Sequence, residues 1–156
     1  MSKGVLKKRG NEESGSAIQH RLKDIALRYG LEEVYAFGSR AKEVAARMTG
    51  KKPSAAYPRS DVDIGVRNKL GLTLGPSERA RLALEIEDLL KVSRVDLVIL
   101  QETDPFLAVD IIRGELLYAE DPDQQARHEL YLLGRAGDLI PFKKERIRMI
   151  MEEGAR

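Results

Sequence analysis

The chain has 156 residues, with 27 Lys and Arg against 25 Asp and Glu, two His and no Cys. This is the length of one ordinary domain, and the formal charge of +2 gives no basic footprint for nucleic acid unless the charge clusters. The missing cysteines exclude disulfides and thiolate metal sites, and His20 and His128 are too few for a histidine-rich zinc centre. No apolar run approaches membrane-spanning length, and the start MSKGVLKKRG lacks the apolar segment of a secretion signal, so a soluble cytoplasmic protein is expected.

Residues 1–16 are rich in Lys, Gly, Asn, Glu and Ser and read as a flexible N-terminal tail. Ser16 is a candidate N-cap, after which Ile18, Leu22, Ile25 and Tyr29 recur at helical spacing until Gly30. Val34 to Phe37 is a short strand that runs into Gly38-Ser39. AKEVAARM reads as helix, and TGKKPSAAYPR after it as a flexible loop. Val62, Ile64 and Val66 alternate with Asp61, Asp63 and Gly65, the pattern of a strand with one apolar and one acidic face.

RNKLGLTLGP is a connection in which Leu70, Leu72 and Leu74 alternate and could pair weakly. A helix follows from about Ser77, with Leu82, Ile86, Leu89 and Leu90 as its buried stripe. Arg94 to Leu100 is the next strand and carries Asp96. Asp104-Pro105 supplies an N-cap and a first-turn proline for a helix that ends before Gly114. Leu116 to Tyr118 is a last edge strand. Asp121-Pro122 repeats the helix-start signal, and Pro141 is expected to start a separate final helix. This order predicts a small α/β or α+β sheet backed by helices and extended by a helical C-terminal part.

Asp61 and Asp63 are two apart on a strand, so their side chains leave the same face. Paired carboxylates repel unless they are solvated or meet a cation, and magnesium takes carboxylate and phosphate oxygens readily. Asp96 sits in VDLVIL, where a buried acid without a partner is costly. If the two strands are neighbours, all three acids line one edge of a cleft, where two ions would serve a triphosphate reaction. The alternative is a solvent-facing strand with ordinary polar alternation. Gly38-Ser39, at the end of a strand and before a helix, suits a phosphate, with Arg40 beside it as an aid to a triphosphate or a water-facing side chain. A Gly-Ser pair is also common in ordinary turns, and no Walker spacing is present.

Taken together, VYAFGSRA, SDVDIGV and RVDLVIL resemble the minimal nucleotidyltransferases of the DNA polymerase beta superfamily, over residues 18–119 and including DPFLAVDIIRGELLYAE. The resemblance implies a polymerase-beta-like fold in residues 17–120 and a helical extension in residues 121–156. It implies that Gly38, Ser39 and Arg40 bind the phosphates of ATP, and that Asp61, Asp63 and Asp96 bind two magnesium ions, with Asp96 also serving the acceptor hydroxyl. Many such proteins are antitoxins encoded beside a helical HEPN ribonuclease toxin, and some transfer AMP to a tyrosine of that partner. The implied activity is therefore a protein adenylyltransferase, and the alternative is a weak or inactive enzyme that neutralises a helical partner by binding. Family members commonly carry a short turn such as GSRARGEARPDSD. This chain has Lys42 near that second glycine and the longer insertion KEVAARMTGKKPSAAYPR.

Other residues have plainer readings. His20 and His128 suit surface or boundary positions, and Tyr29, Tyr118 and Tyr131 suit packing. Tyr57, in the basic loop, is the one tyrosine considered for base stacking or self-modification. The end KKERIRMIMEEGAR is amphipathic and suits closure of the domain, a homo-oligomer contact or a toxin-like partner; its mixed charge argues against a membrane surface.

Overall fold

The structure, a computed structural model, describes the backbone of residues 2–51 and 60–154, with side chains described from residue 15 onward within those ranges. Its elements are α1 (Ser2–Tyr29), β1 (Leu31–Phe37), α2 (Ala41–Met48), β2 (Val62–Asn68), α3 (Pro76–Leu90), β3 (Val95–Ile99), α4 (Pro105–Ile112), β4 (Glu115–Ala119) and α5 (Pro122–Gly154). Short 3-10 turns at Gly38–Arg40 and Leu100–Glu102 follow β1 and β3.

The four strands form one mixed sheet in the order β3-β2-β1-β4. β1 is antiparallel to both β2 and β4, whereas β2 and β3 are parallel and joined through α3. A parallel pair needs such a crossover, which the 15-residue α3 supplies. Strand alternation then divides the core. Val34, Ala36, Val62, Ile64 and Val66 pack with Leu22 and Ile25 of α1, Val44 and Met48 of α2, and Leu82, Ile86 and Leu89 of α3. On the opposite face Tyr35 packs with Ala108, Ile111 and Ile112 of α4 and Leu132 of α5. The expected small mixed sheet backed by helices is thus observed.

The second face is only part covered, and one residue sets how closely it is covered. Gly65 of β2 lies under α4, where an added Cβ would come within 2.5 Å of Ile111 Cγ2. The glycine seen as mere alternation in VDIGV is what admits the helix. Asp104 caps α4 as expected, its Oδ1 accepting from the N–H groups of Phe106 and Leu107 at 2.9 and 3.0 Å. Further along this face Tyr35 Oη accepts from Gln125 Nε2 at 2.9 Å, and buried Glu33 accepts from Arg67 Nη1 at 3.0 Å. The first of these contacts ties the start of α5 to the sheet, and the second joins β2 to β1.

Three expectations differ from what is seen. The first helix does not start at Ser16, because α1 is continuous from Ser2. Its N-terminal segment holds three Lys and two Glu, good helix formers, beside three glycines. Leu70, Leu72 and Leu74 form no strand; Leu74 is buried in the core and Leu70 fully exposed. Pro141 does not start a helix but lies inside α5. It removes one hydrogen bond and leaves the Gly137 carbonyl unpaired, yet both residues are exposed, so water can satisfy that carbonyl. Beyond Ala136 the side chains of α5 are almost all exposed, including Phe142, Ile147, Ile150 and Met151. Among the described residues no helix is long and apolar enough to cross a membrane. The loop reading of residues 52–59, and with it Tyr57, lies outside the described residues.

Candidate active site

The register of the central strands decides which acids meet. Asp63 on β2 is paired with Phe37 on β1 and with Asp96 on β3. In both ladders paired residues share a face, so Asp63 and Asp96 stand side by side on the face that α4 covers only at Gly65 and beyond. Asp61, just ahead of β2, is near enough for its charge to act on Asp63, and its side chain is 41% exposed, with Arg94 Nε 3.6 Å from its Oδ2. Asp96 is exposed. The strand adjacency that the sequence made a condition is therefore met.

The carboxylates act on each other. Asp63 is held above its ordinary pKa, first by burial and then by the negative charges of Asp96 and Asp61. Among the described residues no three acid or histidine side chains stand close enough together to hold a metal ion as they are placed. The chemistry of the donors, rather than their spacing, suits a hard cation: Asp63 pairs with Asp96, and its pKa is raised by burial and by the charges of Asp96 and Asp61.

The Gly-Ser turn meets Asp63 from the β1 side. Gly38 has φ +75°, and a Cβ there would overlap Asp63 Oδ2. Only a residue without a side chain allows the backbone to take this left-handed turn and touch the carboxylate. Ser39 is exposed beside it. The turn opens onto a groove of about 350 Å³ between the start of α2 and the end of α4, lined by Ser39, Lys42, Asp110, Arg113 and Glu115. That volume is within the range of small-ligand sites. Lys42 and Arg113 give the groove two cations. Arg113 was not singled out in the sequence, where it is one more charged residue at a helix end; its place opposite the Gly-Ser turn comes from α4 crossing the sheet.

Arg40 does not line this groove. It is 6% exposed, and its guanidinium donates to both Glu43 carboxylate oxygens, at 2.6 and 3.2 Å, and to the Ser60 carbonyl at 2.8 Å. The bidentate bond holds Glu43 below its ordinary pKa. The expectation that Arg40 faces phosphate or water is replaced by a buried contact between the Gly-Ser turn and the segment before β2. The histidines lie elsewhere: His20 is exposed, and His128 Nδ1 is 3.6 Å from buried Glu33.

The mixed sheet, its parallel β2–β3 pair and its helical backing define the class of nucleotidyltransferase folds. Residues 20–123 match the family model described as polymerase beta, nucleotidyltransferase, and the chain belongs to that family. Solved structures carry the likeness through most of the chain. A toxin–antitoxin structure with AMP-PNP is 19% identical with a TM-score of 0.63, and the match covers 85% of this chain and 98% of that one. A tri-AMPylated HEPN toxin of Shewanella oneidensis in complex with its MNT antitoxin is 18% identical, with a TM-score of 0.61 over 88% of this chain and 98% of that one. An MntA–HepT toxin–antitoxin structure is 18% identical, with a TM-score of 0.60 over 87% and 98%. Comparison with curated protein sequences finds no match.

Proposed function

We propose that this protein is an adenylyltransferase antitoxin that moves AMP from ATP to a hydroxyl, most simply a tyrosine, of a HEPN-type toxin. The observation that carries the chemistry is the pairing of Asp63 with Asp96 on the face where Gly38 abuts Asp63. The solved relatives that hold AMP-PNP, or an AMPylated toxin, support the nucleotide and the acceptor.

In this reading Gly38 and Ser39 take the phosphates, through backbone N–H groups and the serine hydroxyl, and Lys42 and Arg113 balance their charge from the groove. Asp61, Asp63 and Asp96 would hold magnesium, two ions at full occupancy, which supplies charge neutralisation at the triphosphate when bound. Asp96, on the exposed side, accepts the proton of the incoming hydroxyl. The hydroxyl oxygen bonds to the α-phosphorus, the bond from that phosphorus to the bridging oxygen breaks, and pyrophosphate leaves. The modified toxin gains a bulky, charged group on its tyrosine.

The exposed apolar residues of distal α5 support a helical partner, since Phe142, Ile147 and Ile150 are exposed among the described residues. The same residues favour the second reading, neutralisation of the toxin by contact alone. Transfer of labelled ATP to a co-expressed HEPN-type toxin separates the two. Asp61→Asn and Asp63→Asn should each lower transfer by about 1,000-fold, the several kcal/mol that metal ligation contributes. Toxin binding without label transfer would leave only the contact reading, and transfer that survived loss of both carboxylates would refute the metal assignment.

A further inference from the structure

Asp61 is the acid that the sheet holds least. The β1–β2 ladder begins with Phe37 opposite Asp63, and the β2–β3 ladder with Val62 opposite Val95. Asp61 therefore precedes both ladders. The residue before it, Ser60, is gripped instead by Arg40, whose Nη1 donates to the Ser60 carbonyl at 2.8 Å.

The grip is a built one. Arg40 spends Nε and Nη2 on Glu43, a residue three positions on in α2, and both side chains are nearly buried, at 6% and 9% exposure. Arg47, one turn further along α2, lies 3.7 Å from the same carboxylate and also donates to the Leu90 and Lys91 carbonyls at the end of α3. A planar guanidinium locked by a bidentate carboxylate can present its remaining N–H groups in one direction only. That direction is the Ser60 carbonyl. Arg40 also belongs to the same 3-10 turn as Gly38 and Ser39. One rigid unit thus joins the proposed phosphate turn to the entry of the acidic strand, across the 19 residues that separate Arg40 from Ser60.

We propose that Arg40 is a positioning residue, not a phosphate ligand: oriented by Glu43, it clamps the Ser60 carbonyl and so fixes Asp61 for cation binding. Its consequence for catalysis rests on the nucleotidyltransferase reading above, whereas the clamp itself does not. The clamp also explains how a chain with a long insertion after the Gly-Ser turn returns to a defined strand start.

The test compares Arg40→Lys, Glu43→Gln and the doubly apolar Arg40→Met/Glu43→Leu, each in the full chain. Amide hydrogen exchange at Asp61 and Val62 is measured without metal, together with the magnesium half-saturation and the nucleotide KM of transfer. Arg40→Lys and Glu43→Gln should both speed exchange at Asp61 and raise the magnesium requirement about tenfold or more, the factor expected for one lost charge-assisted hydrogen bond. Nucleotide KM should stay within about twofold, because uniform substrate binding is untouched. The double variant removes both buried charges together and should melt near the wild type while keeping both local defects. A simple stability role would instead restore them. A raised nucleotide KM in Arg40→Lys with Glu43→Gln unchanged would make Arg40 a phosphate ligand and overturn the proposal. If the wild type transfers nothing, the nucleotidyltransferase reading fails, and the exchange rates alone still decide the clamp: no change at Asp61 overturns it.

Discussion

Replacing Gly38 by alanine tests the contact between turn and acid directly. Gly38 has φ +75°, a region that costs an alanine about 1–2 kcal/mol. For a domain of this size that is a fall in Tm of roughly 2–8 °C. The new Cβ would also overlap Asp63 Oδ2, so the carboxylate must swing away from Gly38. A displacement of about 1 Å at a reacting centre lowers rate on the order of 100-fold. Gly71 supplies the matched control, with φ +83° and no atom within 4 Å of an added Cβ. Gly71→Ala should therefore show a similar fall in Tm with transfer unchanged. The assay is a thermal melt on each variant and transfer of labelled ATP at saturating magnesium. Equal activities in the two alanine variants, at equal stability, would refute the claim that Gly38 exists to admit Asp63.

The remaining predictions concern charge, packing and surface. Asp63 has a raised pKa in the folded state, so the folded protein holds its proton more tightly than the unfolded chain. Without divalent ions, stability should fall as pH rises from the ordinary carboxylate range through the raised value, and stay lower above it. Asp63→Asn should thus raise Tm at pH 7 in chelator, and the gain should vanish in acid; melts across pH will check it. Gly65→Ala should cost about 1–3 kcal/mol by overpacking against Ile111 Cγ2, and less when introduced into an Ile111→Ala background that lacks that atom, measured by urea unfolding. Ile147→Glu/Ile150→Glu should leave Tm within a degree or so, as exposed sites change stability by about 0.5 kcal/mol or less, yet weaken toxin binding at least tenfold by titration.

Much of the local structure was legible because it rests on short-range rules. Asp104-Pro105 starts α4 with the expected cap, AKEVAARM forms α2, and the alternation from Val62 to Val66 separates an apolar face from an acidic one. Where the reading failed, the cause was either helix-forming strength or solvent. α1 extends to Ser2 through residues that carried no helical periodicity, and α5 passes Pro141 at an exposed position where water can reach the carbonyl that loses its partner. The distal helix looked like a separate element only because a proline was taken as a start.

The chain of residues by itself determined the strand and helix identities, the two-residue spacing of Asp61 and Asp63, and the family through its motifs. Local periodicity and backbone preference suffice for those. Tertiary structure decided what meets. Only the parallel register sets Asp96 beside Asp63, since strand neighbours are chosen by the crossover of α3 and not by any nearby residue. Only the packed structure turns Arg40 inward, because its partners Glu43 and the Ser60 carbonyl, the second 20 positions away, become neighbours when β2 joins the sheet. A carboxylate's direction can be read along a strand; its company depends on contacts between segments far apart in the chain.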